Sequence, residues 1–200
     1  MKSCCIIIAA GLSSRMKNFK PLLPIHNQPA IVHLVHSMQK AGVDHVIIVT
    51  GHRSDELITA CFSLDHVSFV HNPNYASSGM IESAKIGFSK VLKEYSRILF
   101  TPADIPLIPS SIIKELLHSE APLIYPSYQF KKGHPVVFDA CYLKSLIAYN
   151  GDCGLRGAFA ALNISPSYLT TDDPRILMDM DTPDDYQKLL ETEESICNQN

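Results

Sequence analysis

Short apolar runs alternate with helix-period segments from one end of the chain to the other, a pattern that predicts an α/β protein with a parallel sheet flanked by helices on both faces. Two further observations agree. At 200 residues and 22.2 kDa the chain is long enough for one hydrophobic core and short for two. Hydrophobic residues make up 46%, charged residues 18% and mean hydropathy is +0.06, so there is enough apolar material to order the bulk of the chain.

Cys4–Ala10 reads as the first strand. Pro29–Ala41 reads as a helix with Ile31, Leu34, Val35 and Met38 on one face and Gly42 closing it, and His45–Thr50 follows as a strand to complete a βαβ unit. Ser54–Phe62 has helical spacing and Val67–Val70 the composition of a strand. Ser78–Tyr95 reads as a long helix, and Arg97–Thr101 as a buried strand running into Pro102-Ala103-Asp104. Beyond it, Ile112–Leu117 predicts a helix, Leu123–Tyr125 and Pro135–Phe138 strands, and Leu143–Ala148 and Leu155–Leu162 helices. A last helix is expected from Pro183 to about Glu191. With no repeat, linker or low-complexity tract, residues 1–192 are expected to form one domain and 193–200 a fraying polar tail.

Charge and cysteine usage exclude several functions. Net charge is −3, and the 17 Lys and Arg are scattered, which argues against a general nucleic-acid or anionic-membrane footprint. No apolar run approaches the roughly 18 residues of a membrane span, and the N-terminus leads directly into a strand instead of a signal-peptide core. The six cysteines, at 4, 5, 61, 141, 153 and 197, form no C-x-x-C pair or zinc-finger spacing, so they read as reduced, mostly buried thiols of a cytoplasmic protein.

Chemistry concentrates in a few segments. The first strand ends in Ala9-Ala10-Gly11-Leu12-Ser13-Ser14-Arg15-Met16, beside the crevice where doubly wound sheets bind ligands. Gly11 can take positive φ, the amides of Leu12–Ser14 can face an anion, and Arg15 and Lys20 add cations. A phosphate loop and an ordinary charged turn are both open readings, since neither G-x-G-x-x-G nor G-x-x-x-x-G-K-[ST] is present. Asp104 follows a buried strand, where a carboxylate is costly unless it sits at the exposed carboxyl edge or binds a cation. Thr182 before Pro183 is a good N-cap, so Asp184 and Asp185 are expected to decorate a helix start. Asp181 precedes that cap and can share a magnesium ion with Asp104.

Lys131-Lys132-Gly133-His134-Pro135 is a basic turn, and Asn150 to Gly157 is a Gly-rich helix entry containing Arg156; each can hold a second anion or be plain structure. His33 and His36 have no Cys or acid to complete a metal set and read as solvated surface. No nucleophilic triad can be assembled.

Taken together, Ile8-Ala9-Ala10-Gly11-Leu12-Ser13-Ser14-Arg15-Met16 with Phe19-Lys20-Pro21-Leu22-Leu23-Pro24 resembles the signature of nucleotidyltransferases with a GT-A-like, Rossmann-related fold. Further segments resemble the molybdenum cofactor cytidylyltransferase branch: Asn72 with Gly79-Met80-Ile81-Glu82-Ser83, Ala103-Asp104-Ile105-Pro106, Gly133-His134-Pro135, Gly151-Asp152-Cys153-Gly154-Leu155-Arg156 and Asp179-Met180-Asp181-Thr182-Pro183. The likeness spans residues 5 to about 190. Lys17 stands where the family usually has Gly, and His26-Asn27-Gln28-Pro29 lacks the usual Gly before its Pro.

The resemblance implies a single-domain three-layer fold with a mostly parallel sheet, and transfer of CMP from CTP, or a nucleotidyl group from another NTP, to the phosphate of a molybdopterin-type acceptor, releasing pyrophosphate. It implies catalytic roles for Arg15, Lys20 and Asp104, and nucleotide contacts from Ala9, Ala10, Gly11, Ser13, Arg15, Lys20, Asn72, Gly79 and Ser83. Gly133, His134, Asp152 and Arg156 would face the acceptor, and Asp104 with Asp181 would hold Mg2+. A molybdenum hydroxylase or its maturation chaperone is the implied protein partner. The attacking phosphate oxygen is already an anion, so no general base is required. Three other readings compete: a guanylyltransferase for the same pterin, a sugar- or alcohol-phosphate nucleotidyltransferase, and a cofactor chaperone without turnover. A nicotinamide oxidoreductase lacks its glycine fingerprint.

Overall fold

The computed structural model describes residues 1–12, 16 and 18–197. Ser13, Ser14, Arg15 and Lys17 lie outside the described residues. Ten strands and seven α-helices run in the order β1 (Ser3–Ala9), β2 (Pro24–Ile25), β3 (Gln28–Pro29), α1 (Ala30–Lys40), β4 (His45–Thr50), α2 (Ser54–Ala60), β5 (Val67–His71), α3 (Met80–Phe88), β6 (Arg97–Pro102), α4 (Ser110–His118), β7 (Leu123–Tyr128), β8 (Lys131–Lys132), β9 (Val136–Asp139), α5 (Leu143–Ala148), α6 (Gly154–Ala160), β10 (Ser167–Thr170) and α7 (Pro183–Cys197), counted among the described residues.

The main sheet has the order β10-β7-β9-β6-β1-β4-β5, with the two residues of β8 paired to β7. β1 pairs in parallel with β4 and β6, β4 with β5, and β7 with β10, whereas β9 runs antiparallel between β6 and β7. Side chains of β1 alternate between two cores, as the period of two requires. Cys5, Ile7 and Ala9 pack with α1, α2 and α4 residues such as Leu34, Leu57 and Ile113. Cys4, Ile6, Ile8 and Ala10 pack with α3, α5 and α6 residues such as Phe88, Leu146 and Phe159. Because β1 is buried on both faces, it reads as an unbroken apolar run. A third cluster docks α7 through Leu189 against Ile25, Ala30, Leu107 and Met180.

The sequence locates most elements within a residue or two. His45–Thr50 and Leu143–Ala148 match, and the expected stripe of α1 (Ile31, Leu34, Val35, Met38) is wholly buried, with Gly42 at φ 92° after its end. His36 is exposed, but His33 is half buried, and that burial lowers its pKa. The third helix is shorter than Ser78–Tyr95. It stops at Phe88 because the Ser89 hydroxyl donates to the Ile86 carbonyl and the chain turns back. β7 continues through Pro126, which lies past its last pair with β9 and interrupts no bond on that side. β10 was not expected; it is a mostly exposed edge strand of mixed polarity. α7 extends past Glu191 to Cys197. The two-residue turn between β2 and β3 has His26 at φ 47° and Asn27 at φ 52°, a left-handed pair that Asn tolerates without glycine. Cys4, Cys5 and Cys61 are buried and Cys141 and Cys153 exposed. No described helix is long and apolar enough to cross a membrane.

Candidate active site

Two adjoining cavities open at the carboxyl ends of the central strands. The first, of about 270 Å³, is lined by Ala9, Ala10 and Gly11 at the end of β1, by Lys20 and Pro21, by Gly79, Met80 and Ser83 at the start of α3, and by Ala103 and Asp104 after β6. Seven of the residues expected to hold nucleotide or catalyse therefore share one wall: Ala9, Ala10, Gly11, Lys20, Gly79, Ser83 and Asp104. Ser13 and Arg15 lie outside the described residues.

Lys20 opens a 3₁₀ turn whose neighbours Phe19 and Pro21 are buried. Phe19 packs edge-on against His52, with the Arg53 guanidinium 5.5 Å from its ring centroid. This anchor turns Lys20 inward, where its side chain is only 11% exposed. Its Nζ donates to Asp181 Oδ1 at 2.5 Å and lies 3.5 Å from Asp104 Oδ2. The two carboxylates are 77 residues apart in sequence, and a single backbone bond explains their meeting: the Met180 amide donates to the Asp104 carbonyl at 3.0 Å. Met180 itself is fully buried, so Asp181 is delivered by a packed anchor. Asp104 is held from the other side, where the Ala103 amide donates to the Ile8 carbonyl and Ile105, Leu107 and Ile108 are buried.

The neighbouring acids divide as expected. Asp185 accepts from the Thr182 amide and hydroxyl and its own amide donates back to Thr182 Oγ1, a capping box that commits it to the start of α7. Asp179 has its carboxyl pKa raised by partial burial and by the charges of Asp181, Asp104 and Asp185. Among the described residues no group of three or more His, Cys, Asp or Glu side chains is arranged to hold a metal.

Asn72 is placed behind the cavity wall. It is 1% exposed, and its amide donates to Ser78 Oγ and Ser83 Oγ, both at 2.9 Å, while its Oδ1 accepts from the Asn74 amide. All of these bonds stay within the protein, so Asn72 fixes Ser78 and Ser83, and those hydroxyls meet the cavity. Gly11 corrects an expectation: its φ is not in the left-handed region, and no described heavy atom lies within 4 Å of where a Cβ would stand. Neither backbone strain nor packing calls for glycine there.

The second cleft, of about 550 Å³, shares Met80 with the first. Its floor is Phe100, Leu123, Tyr125, Val136 and Phe159, and Lys132, His134 and Arg156 reach it. His134 Nδ1 is buried with no hydrogen-bond partner among the described residues, and burial lowers the ring's pKa against the raising effects of a Phe100 backbone hydrogen bond and the Asp104 charge. Gly133 lies behind it; a Cβ there would stand 2.7 Å from both the Ile176 carbonyl oxygen and Ile176 Cδ1, so packing requires the glycine. Asp152 is exposed before α6, its carbonyl accepting from the Tyr149 hydroxyl, and is not among the residues lining the cleft. The sequence reading missed Tyr75 and Ser78 in the first cavity and the aromatic floor of the second, whereas Met80 falls within the Gly79–Ser83 segment that the family resemblance singles out.

Comparison with known proteins agrees with this geometry. The profile of the MobA-like NTP transferase domain matches residues 5–166. The molybdenum cofactor cytidylyltransferase of Escherichia coli is 30% identical over 185 residues, which cover 91% of this chain and 92% of that protein. Among solved structures, a nucleotidyl transferase from Methanothermobacter superposes with a TM-score of 0.83 at 21% identity, covering 96% of this chain and 97% of that one. A Mycobacterium tuberculosis protein in complex with manganese superposes with a TM-score of 0.77 at 22% identity, covering 96% and 99%. The chain belongs to the MobA-like NTP transferase family, and it is a nucleotidyltransferase.

Proposed function

We propose that this nucleotidyltransferase moves CMP from CTP to the phosphate of a molybdopterin-type acceptor and releases pyrophosphate, with the nucleotide in the first cavity and the acceptor in the second cleft. The observation that carries the reading is the convergence of Lys20, Asp104 and Asp181 beside a cavity that shares the lining residue Met80 with a larger cleft. An acceptor phosphate oxygen attacks the α-phosphorus, the bond to the β-phosphate oxygen breaks, and pyrophosphate leaves with the electron pair. The nucleophile arrives as an anion, so the transfer requires no base for proton removal. Lys20 places one fixed positive charge where negative charge gathers on the α-phosphoryl oxygens and the leaving group.

Asp104 and Asp181 suit Mg2+, because both are oxygen donors that meet at the Lys20 ammonium with side chains 27% and 32% exposed, and Asp104 lines the cavity. Such an ion, when held by these two carboxylates, would supply charge neutralisation to the triphosphate. The manganese complex of the structural relative supports a divalent cation.

CTP is favoured by Ala10, a residue in the lining of the small first cavity where a glycine would leave more room for a bicyclic purine. The acceptor assignment is supported by the E. coli relative and by a cleft able to seat a planar ring. Pyrophosphate release measured with each of the four NTPs, with and without a molybdopterin-type acceptor, tests the reading. Release with CTP only when acceptor is present is expected; preference for GTP, or turnover with sugar phosphates instead, overturns it.

A further inference from the structure

The far end of the second cleft holds an arrangement that the transfer chemistry leaves unused. Tyr125 on β7 and Tyr168 on β10 are register partners on adjacent parallel strands, and their rings lie 6.3 Å apart between centroids with planes 27° apart. Lys132, on β8, holds its ammonium 4.9 Å from the Tyr125 centroid and 5.4 Å from that of Tyr168. One cation therefore covers two aromatic faces presented side by side. Phe159 packs edge-on against Tyr125 from α6 and fixes the ring that lines the cleft, while Tyr168, beside Tyr125 but outside the cleft's lining, is 48% exposed.

A lone exposed ammonium on an aromatic face is weakly held, because water competes for it. A flat heterocycle can take its place on the tyrosines while its ring nitrogens and carbonyl oxygen accept from the ammonium, gaining offset stacking below and a charged contact above. A sugar or an alkyl chain does not gain both. Position decides which end of the acceptor sits here: β7 and β6 are separated by β9, so the clamp is two strand spacings, about 10 Å, to the side of the strand that leads to Asp104. The phosphate must be at Asp104, and the ring is what extends toward the clamp. Building on the acceptor assignment above, we infer that Tyr125, Tyr168 and Lys132 form an aromatic and cationic clamp that selects acceptors carrying a planar heteroaromatic ring, with Lys132 and Tyr168 as its specificity-determining residues.

The test is equilibrium titration of the full chain with a 6-substituted pterin monophosphate, followed by quenching of the pterin's own fluorescence, together with KM for CTP. Lys132→Ala is expected to raise the pterin Kd on the order of threefold to tenfold with KM for CTP unchanged. Lys132→Arg should restore wild-type binding and Lys132→Met should not. Tyr168→Phe, which keeps the ring, should bind as wild type, and Tyr168→Leu should weaken binding. Unchanged pterin affinity in Lys132→Ala, or equal weakening by Lys132→Arg and Lys132→Met, overturns the clamp and leaves the acceptor assignment standing. A wild-type chain that does not bind the pterin phosphate overturns both.

Discussion

The two cavities are neighbours that differ in kind. The first is small, made from the ends of β1 and β6, with Lys20 and Asp104 in its lining and Asp181 paired to that lysine. The second is about twice the volume, floored by aliphatic and aromatic side chains, with its cations at the rim. Fixed charge is effective where charge develops during transfer, whereas a large apolar floor discriminates by shape and contributes binding shared by ground and transition states. Substitutions in the first should therefore act on kcat, and those in the second on acceptor KM.

Asp104→Asn should do most to establish that division. It removes charge at nearly constant volume, so the protein should unfold at the wild-type denaturant midpoint while turnover falls by about two orders of magnitude or more. A folded variant with a normal cation-dependent rate would remove Asp104 from the reaction. Lys20→Ala follows, with an expected loss of about 10²-fold in kcat and a smaller rise in KM for the nucleotide. If KM alone rises, Lys20 binds both states equally and the contrast between the cavities weakens.

In the second cleft, Gly133→Ala should act through packing. The new methyl must displace the Ile176 carbonyl or side chain, costing about 1–3 kcal/mol in chemical denaturation, with acceptor KM rising as His134 shifts and kcat with saturating acceptor little changed. The smallest effect is expected from Ala10→Gly, which widens the first cavity by one methyl. The kcat/KM for GTP relative to CTP should rise, and since a methyl-sized difference amounts to about 1–3 kcal/mol at most, CTP use should persist. An unchanged CTP-to-GTP ratio would move base selection elsewhere.

The same contrast explains what the sequence discloses. The first cavity is written in contiguous stretches, Ala9-Ala10-Gly11 and Pro102-Ala103-Asp104, because strand ends in a parallel sheet deliver consecutive residues to one edge. Asp181 was legible as a carboxylate without a full helical role, although its partner across the fold was not fixed by spacing. The clamp was invisible, since residues 125, 132 and 168 meet only through the pairing of β7 with β8 and β10, and β10 has too little hydrophobic alternation to predict. Asn72 illustrates a different gap: a motif marks its importance without telling contact with ligand from support of Ser78 and Ser83.

The hydrogen bond from the Met180 amide to the Asp104 carbonyl also sets when the two carboxylates can meet during synthesis. All seven strands on the main path of the sheet have been made by residue 170, yet the second carboxylate arrives only when the segment around residue 180 threads back to β6 and Leu189 of α7 docks beside Ile25. A nascent chain that stops short of that segment can therefore display a nearly finished sheet while lacking Asp181 at Lys20, so the proposed ion site is completed after the sheet.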